Sequence, residues 1–187
     1  MEEQVVLVNE QNEVIGTAEK LETHNHQTPL HRGISVFLFD ANGNLLLQQR
    51  SHKKKTWPLV WSNSCCGHPK LDETSIETAK RRLSYELGVT DANLIVVLPD
   101  YRYKFVKDGI YENEFCPVMI GETEQQPIIN PDEVEAIRWV SWQEWLHEIE
   151  TNPKKYSPWC VEETILLSKN KYFQDFLQEE MRKLPSK

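Results

Sequence analysis

One amphipathic helical segment near the middle of the chain constrains the fold more than any other feature. Thr74 can cap this helix, and Glu77 stands three residues later, as in a capping box. Gly88 is typical of the residue that ends a helix. The apolar stripe at helical spacing consists of Ile76, Ala79, Leu83 and Leu87. We therefore predict a helix over 74–87 with one apolar face.

Segments with alternating or continuous apolar residues surround this helix and are predicted as strands. They are 5–9, 14–19, 33–40, 45–50, 94–98, 102–106, 111–120 and 136–140. Two further helices are predicted, over 141–150 and from Ser157 onward, and 51–68 is expected to be an ordered loop. This order indicates an α/β or α+β fold. The length of 187 residues fits a single domain over 1–187.

The charge balance narrows the class of partner. The chain has 21 basic and 29 acidic residues and a net charge of -8, which argues against general binding to nucleic acid or to an anionic membrane. The apolar run at 5–8 is too short for a signal peptide or a membrane span. Cys65, Cys66, Cys116 and Cys160 form no CxxC pair, and we expect reduced thiols in a cytoplasmic protein.

Histidines and paired carboxylates form a candidate metal site. His24, His31 and His68 could close on one divalent ion, although scattered histidines in a chain of this size are more often surface or core residues. Glu112 and Glu114 are two residues apart on a predicted strand, so their side chains leave the same face. That face is either a metal or proton-transfer site or the polar side of an edge strand.

The loop before the helix contains a candidate catalytic cysteine. Cys66 directly precedes Gly67 and His68, an arrangement that could prepare a thiol for chemistry. The alternative is that Cys66 is a small buried hydrophobic residue, as most free cysteines are.

The loop and helix together resemble a degenerate Nudix box, the loop–helix–loop that presents carboxylates to a magnesium diphosphate. This chain has Arg82 and Tyr85 where the usual box has two acids, and only Glu86 of the terminal acidic cluster remains. A hydrolase needs that cluster to hold metal and activate water. The resemblance therefore implies the diphosphate-binding fold without hydrolysis.

Across nearly its whole length, the chain resembles the type I isopentenyl diphosphate isomerase family. The matching stretches, in family order, are Leu30-His31-Arg32, Trp57-Pro58, Trp61-Ser62-Asn63-Ser64, Cys66-Gly67-His68-Pro69, Tyr85-Glu86-Leu87-Gly88, Tyr101-Arg102-Tyr103, Glu112-Asn113-Glu114, Cys116-Pro117 and Ser157-Pro158-Trp159. The resemblance implies a Nudix-like mixed β-sheet sandwiched by helices, with an extra N-terminal hairpin and a C-terminal helix. It also implies interconversion of isopentenyl and dimethylallyl diphosphate.

The same resemblance implies two metal sites. The first, holding Mn²⁺, Zn²⁺ or Mg²⁺, would use His24, His31, His68, Glu112 and Glu114. The second, a Mg²⁺ that arrives with the diphosphate, would use Glu86 and the backbone carbonyl of Cys66. His26, two residues from His24, is an alternative ligand, and Cys65 occupies a position that is often aliphatic in relatives.

Catalytic and substrate-binding roles are likewise implied by the resemblance. Cys66 and Glu114 match the proton-transfer pair, and Tyr103 matches a residue that assists protonation. Trp159 matches an aromatic residue that shields the carbocation, with Trp57 and Trp61 available for the same wall. The residues that match diphosphate-binding positions are Lys20, Arg50, Lys54 and Arg82.

Two rival functions fit the sequence less well. A Nudix-type diphosphohydrolase would leave Cys66 and the Glu112–Glu114 pair without a role, and a non-enzymatic prenyl-phosphate binder would be expected to have lost a catalytic group. We therefore predict a monomeric, cytoplasmic isomerase whose partner is a small prenyl diphosphate, with no nucleic acid or membrane partner.

Overall fold

Two β-sheets and five α-helices make up residues 4–183, the part of the chain that the computed structural model describes. The strands are β1 (Gln4–Val8), β2 (Val14–Glu19), β3 (His31–Arg32), β4 (Ile34–Phe39), β5 (Asn44–Arg50), β6 (Trp61–Ser62), β7 (Cys65–Gly67), β8 (Asn93–Leu98), β9 (Arg102–Lys107), β10 (Ile110–Phe115), β11 (Val118–Glu122) and β12 (Val134–Ser141). The helices are α1 (Lys20–Thr23), α2 (Ser75–Leu87), α3 (Trp142–Thr151), α4 (Pro158–Lys169) and α5 (Lys171–Lys183).

Two stretches of chain, 31–39 and 110–122, each supply one strand to each sheet. The smaller sheet has the order β2-β1-β3-β10-β9, and the larger has β12-β5-β4-β11-β8 with β6 beside β5 and β7 beside β4. The β3–β10 and β4–β11 pairs are parallel. The chain passes between the sheets at Gly33, whose N–H donates to the Phe115 carbonyl at 2.9 Å, and at Pro117, whose carbonyl accepts from Ser35 at 3.1 Å. Side chains at this transition can meet residues of both sheets.

Helices cover the larger sheet on both faces, which explains why every residue of β4 is buried. On one face, Ile34, Val36 and Leu38 pack with Ala79, Leu83 and Leu87 of α2. On the other face, Phe37 and Phe39 pack with Trp142, Trp145 and Phe173 of the C-terminal helices. The predicted mixed sheet between helices, its N-terminal hairpin and its C-terminal helix are confirmed.

The central helix α2 has the predicted ends. Thr74 and Glu77 form a reciprocal capping box, and Gly88 adopts a left-handed conformation with φ of 65°. The stripe prediction was wrong at Ile76, which is 37% exposed because it lies in the first turn, outside the contact with β4. Instead, α2 buries two charged residues, Arg82 and Glu86, beside its apolar face.

Three element predictions differ from the structure. The expected loop 51–68 contains β6 and β7, which pair with the neighbouring strands β5 and β4. The strand predicted over 111–120 is interrupted at Cys116–Pro117, because proline has no N–H to donate and the chain changes sheets there. The helix predicted from Ser157 onward is two helices, because α4 ends at Lys169 and α5 begins at Lys171. None of the helices within 4–183 is long and apolar enough to cross a membrane.

Candidate active site

Three histidines from separate segments meet where the chain passes between the sheets. The ring centroids of His24, His31 and His68 lie 5.0–5.4 Å apart. Nδ1 of His24 faces the Lys20 carbonyl at 2.7 Å, and Nδ1 of His31 faces the Pro29 carbonyl at 2.9 Å. Because a carbonyl only accepts hydrogen bonds, each Nδ1 carries a proton, and Nε2 is the ring atom that faces the other groups of the site.

Two carboxylates of β10 complete this group. Oε1 of Glu114 lies 3.1 Å from His68 Nε2 and 3.7 Å from His31 Nε2, while Oε2 of Glu112 lies 3.0 Å from His24 Nε2. One ligand atom from each histidine and from Glu114 falls within 4.8 Å of all the others. We call His24, His31, His68, Glu112 and Glu114 the histidine–glutamate cluster.

Glycine at position 33 makes room for the cluster. A Cβ on Gly33 would lie 1.8 Å from Oε2 of Glu114 and 3.4 Å from Sγ of Cys116. Any larger residue would have to displace the carboxylate, so Gly33 permits the close approach of Glu114 to the backbone of the neighbouring segment.

Protonation states in the cluster suit metal ligation. Burial by itself raises the pKa of Glu114, but the neighbouring His31 and His68 rings hold that pKa well below its usual value. Burial lowers the pKa of His68 to about 4, so this ring is neutral at neutral pH. Nε2 of His31 and Nδ1 of His68 are buried without a hydrogen-bond partner among the described residues. Imidazole nitrogens beside an ionised carboxylate are a donor set that a divalent transition metal accepts.

Cys66 approaches the same region from the larger sheet. It pairs with Ser35 across β7 and β4, and its Sγ lies 3.3 Å from both Nδ2 and Oδ1 of Asn63. Burial, with a further contribution from Glu163, raises the pKa of Cys66 to about 12, so the thiol is protonated at neutral pH. The adjacent Cys65 is fully buried in the core on the α2 side of the sheet.

An aromatic wall adjoins the two candidate proton-transfer groups. Tyr103 is the direct neighbour of Glu114 across β9 and β10. Its ring stacks on Trp159 with centroids 5.7 Å apart and an interplanar angle of 16°. Neither of the two other tryptophans considered for this wall lines the cavity. Trp57 packs edge-on against Trp159 at 5.2 Å, and the Trp61 ring packs against the Arg138 guanidinium at 5.2 Å.

A cavity of about 340 Å³ joins these groups. Four basic residues that were predicted to bind diphosphate line this cavity, and we call them the cationic mouth: Lys20, Arg50, Lys54 and Arg82. The other predicted residues that line it are His24, Cys66, His68, Tyr103, Glu112, Glu114 and Trp159. His31 and Glu86 do not line the cavity and are buried, at 0% and 2% exposure.

Carboxylates already engage part of the cationic mouth. Glu133 forms ion pairs with Lys54 and, at 3.1 Å, with Arg82. Arg82 also contacts Glu86 at 2.6 Å. Burial raises the pKa of Glu133, but Lys54 and Arg82 outweigh this effect and lower it, so the carboxylate is ionised. Glu133 therefore competes with an incoming anion for these cations.

Sequence reasoning missed Glu133 and Glu163. Glu133 stands in an irregular segment without periodicity, and no local signal identifies it. Glu163 follows Trp159 by one helical turn, so the spacing alone places both on one face of α4. The alternative ligand His26 is exposed and lies outside the group of ligand atoms formed by the described residues.

Comparison with known proteins agrees with this geometry. Residues 29–160 match the model of the NUDIX domain. The chain is 44% identical over 159 residues to the isopentenyl-diphosphate Delta-isomerase of Saccharopolyspora erythraea, covering 84% of this chain and 82% of that protein. It is 41% identical over 177 residues to the protein of the same name from Enterobacter, covering 94% of this chain and 97% of that protein.

Solved structures show the same fold. A Deinococcus radiodurans protein superposes with a TM-score of 0.63 at 23% identity, over 80% of this chain and 90% of that one. The MutT protein from Methanosarcina mazei superposes with a TM-score of 0.55 at 19% identity, over 82% and 94%.

Proposed function

Because this chain belongs to the isopentenyl-diphosphate Delta-isomerase family within the NUDIX superfamily, we propose that it interconverts isopentenyl diphosphate and dimethylallyl diphosphate. We assign the activity to a single domain over 1–187. In the forward direction, the terminal methylene carbon gains a proton, a tertiary carbocation forms, and C2 loses a proton. The reaction therefore needs one group that delivers a proton and another that accepts one.

The observation that carries this proposal is that Cys66 and Glu114 come from different sheets and line one cavity. A protonated thiol and an ionised carboxylate on separate walls suit a substrate that gains and loses protons at different carbons. Tyr103 adjoins Glu114 and is a neutral phenol, because burial raises its pKa well above the usual value. We assign Tyr103 the role of a hydrogen-bond donor to Glu114 that assists protonation.

The histidine–glutamate cluster is proposed to hold one divalent ion, Mn²⁺, Zn²⁺ or Mg²⁺. Its buried, unpartnered ring nitrogens support this assignment. We assign Glu86 and the Cys66 carbonyl to a Mg²⁺ that enters with the substrate. When bound, these ions supply charge neutralisation for the diphosphate and orient Glu114.

The cationic mouth is proposed to bind the diphosphate. Lys20, Arg50, Lys54 and Arg82 line the cavity, and guanidinium and ammonium groups suit phosphate oxygens. Trp159 would shield the carbocation, because an indole face attracts a desolvated cation by about 2 kcal/mol. The cavity must also exclude water, which would otherwise trap the cation as an alcohol.

Hydrolysis of a nucleotide is disfavoured by the same helix. Tyr85, which stands where a Nudix hydrolase has an acid, is 53% exposed and packs on the Arg82 guanidinium at 5.3 Å. Glu86 is engaged by Arg82 and by Gln48 at 3.3 Å. The described part of this helix therefore offers no acidic cluster that could activate water.

Proton NMR of isopentenyl diphosphate in deuterated water tests the proposal. With Mg²⁺ and a trace of Mn²⁺ or Zn²⁺, the purified protein should produce dimethylallyl diphosphate that carries solvent deuterium, without release of inorganic phosphate. Absence of conversion, together with phosphate release from a nucleotide panel, would establish a hydrolase instead.

A pair of cysteine variants supplies the matched control. Cys66→Ala should abolish turnover and leave the metal content near normal, because the thiol is not a ligand in the cluster. Cys65→Ala, one residue away but on the α2 side of the sheet, should retain turnover within about threefold, since it removes only core contacts. Equal activity loss in both variants would contradict the role of Cys66.

We further infer that the protein acts in the cytoplasm as a monomer. All four cysteines are free thiols, which supports a reducing compartment. Light scattering during gel filtration should give the 22.0 kDa mass of one chain. A mass twice as large would overturn the monomer.

A further inference from the structure

Glu163 is a buried carboxyl group that the proposed chemistry does not use. It lies on α4, one turn after Trp159, and is 0% exposed. Its Oε2 lies 2.7 Å from Oγ of Ser35, and its Oε1 has no hydrogen-bond partner among the described residues. The structure gives Glu163 no basic partner among the described residues, and burial raises its pKa well above the usual value. A carboxyl in this setting is neutral at neutral pH.

Among the described residues, Ser35 is the only side chain that hydrogen-bonds to Glu163, and it lies between Glu163 and Cys66. Ser35 Oγ also accepts a hydrogen bond from Asn63 Nδ2 at 2.9 Å and lies 4.0 Å from Cys66 Sγ. Both Ser35 and Asn63 are fully buried. The contacts therefore run from Glu163 through Ser35 and Asn63 to the thiol.

Hydrogen-bond direction gives this connection a role. Ser35 Oγ donates its hydrogen to Oε2 of Glu163, which fixes the Ser35 hydroxyl and leaves its oxygen lone pairs for Asn63 Nδ2 and the Cys66 thiol. Asn63 is held independently, because its Nδ2 also donates to the Val36 carbonyl at 3.1 Å and to the Cys65 carbonyl at 3.0 Å. The orientation of the Ser35 hydroxyl is therefore the one element of this network that depends on Glu163.

A purely structural role does not explain the choice of residue. A buried carboxyl with one oxygen unpartnered packs less favourably than an apolar side chain of the same size. The next residue, Thr164, is equally buried, but its hydroxyl is fully used by Trp145 Nε1 at 2.9 Å and by the Cys160 carbonyl at 2.7 Å. Thr164 faces the core and makes no contact with this network, so it serves as a matched control.

We propose that Glu163 is a positioning residue for the isomerase: through Ser35 it fixes the position of the Cys66 thiol in the cavity wall. This inference rests on the proposed function, because it assigns Glu163 to the proton-transfer step that Cys66 performs. Glu163 acts through Ser35 and does not itself touch the substrate.

Two substitutions at Glu163 test the role. Glu163→Gln keeps the volume and retains an oxygen that accepts from Ser35, whereas Glu163→Met keeps the volume but offers no such acceptor. We expect Glu163→Met to lower kcat by about 10-fold to 100-fold with KM unchanged, the range expected when a reacting group is misaligned. Glu163→Gln should restore kcat to within about threefold of the parent, since the hydrogen bond to Ser35 is retained.

Three further measurements distinguish a positioning role of Glu163 from an effect of the substitutions on folding. The metal content of both variants should match that of the parent and of Thr164→Val, which keeps its kcat. Neither variant should unfold at a lower temperature than Thr164→Val, which leaves the buried Trp145 Nε1 without its acceptor. The rate at which iodoacetamide alkylates Cys66, measured in a Cys65→Ala, Cys116→Ala, Cys160→Ala background, should change in the Met variant and not in the Gln variant. Equal kcat in the Met variant and the parent overturns the inference, and so does a Gln variant as slow as the Met variant.

Turnover of isopentenyl diphosphate by the parent enzyme tests the proposed function separately. If the parent converts no isopentenyl diphosphate, the isomerase assignment itself is wrong. If the parent is active and the Glu163 variants behave identically, only the positioning role is wrong.

Discussion

The histidine–glutamate cluster and the cationic mouth share one cavity, but the fold holds them in different ways. The cluster depends on backbone pairing: His31 stands directly beside Glu114 in the parallel β3–β10 pair, and Glu114 stands opposite Tyr103 in the β9–β10 pair. In the mouth, long side chains are held by counter-charges, with Glu133 engaging both Lys54 and Arg82.

This difference reflects what each region must do. Metal ligands and proton-transfer groups work only at fixed distances, and hydrogen-bonded strands fix Cα positions well. A diphosphate must enter and leave, so its ligands must exchange one anionic partner for another. We therefore expect substitutions in the cluster to affect kcat and metal retention, and substitutions in the mouth to affect mainly KM.

The largest expected effect is that of Glu114→Gln. It should lower kcat by about 10²-fold to 10⁴-fold, the contribution of a positioned acid–base group, and it should also weaken metal retention. Elemental analysis after dialysis against a chelator measures the second effect. Asn113→Ser, on the opposite face of the same strand, should change neither kcat nor metal retention. If Glu114→Gln retained as much metal as the parent, Glu114 would not be a metal ligand.

Gly33→Ala tests whether the backbone itself fixes the cluster. The added methyl group would lie 1.8 Å from Oε2 of Glu114, so the carboxylate must move. We expect metal affinity to fall by about 10-fold to 100-fold, as when a residue that orients a ligand is lost. Thermal unfolding serves as the folding control. A folded variant with parental metal affinity would show that the cluster tolerates displacement, which contradicts the comparison.

Lys54→Ala tests the mouth. Loss of one charged hydrogen bond to the diphosphate should raise KM by about tenfold and leave kcat nearly unchanged. Lys53→Ala is the matched control, because the Lys53 side chain is 51% exposed and pairs with Asp132 at the rim. If kcat fell by a larger factor than KM rose, Lys54 would act in the chemical step and not only in substrate binding.

Glu133→Gln should have a smaller effect of opposite sign. It removes the carboxylate that competes with diphosphate for Lys54 and Arg82, so KM should fall by up to about fivefold, the scale of a single ion pair. Isothermal titration with inorganic diphosphate measures the same change without turnover. Weaker diphosphate binding would mean that Glu133 supports the bound substrate instead of competing with it.

The smallest effect concerns the pH dependence of stability at the link between α2 and the cluster. Arg81 donates to the His68 carbonyl at 3.0 Å and pairs with Glu73 at 2.6 Å. The Arg81 hydrogen bond lowers the pKa of Glu73 to about 2. Because the folded-state pKa is depressed, this stabilisation is present above the usual pKa of a glutamate and is lost as the pH falls towards 2.

Glu73→Gln should therefore destabilise the protein at neutral pH by about 1 kcal/mol or less, because both side chains reach solvent. The difference in Tm between the parent and this variant should shrink between pH 4.5 and pH 2. Glu77→Gln is the local comparison, since Glu77 caps the same helix without contacting Arg81. A Tm difference that stays constant over this range would exclude the ion pair as its source.

Much of the fold was predictable because its signals are local. The capping boxes at Thr74 and Ser141 satisfy helix N–H groups within one turn, so their residue types alone identify them. The division of 111–120 into two strands was not predicted, because it depends on which sheet each half joins. Ile76 fits the helical stripe but lies beyond the contact with the sheet.

For the candidate site, the sequence by itself determined the residue types and the chemistry that they permit. It provided imidazoles, paired carboxylates, a thiol and an arginine where a hydrolase needs an acid. Only the tertiary structure decided that His24 and not His26 joins the cluster, that Glu133 occupies the cationic mouth, and that Glu163 lies behind Cys66. These relations join residues that are far apart in the chain, and no local pattern encodes a distance across two sheets.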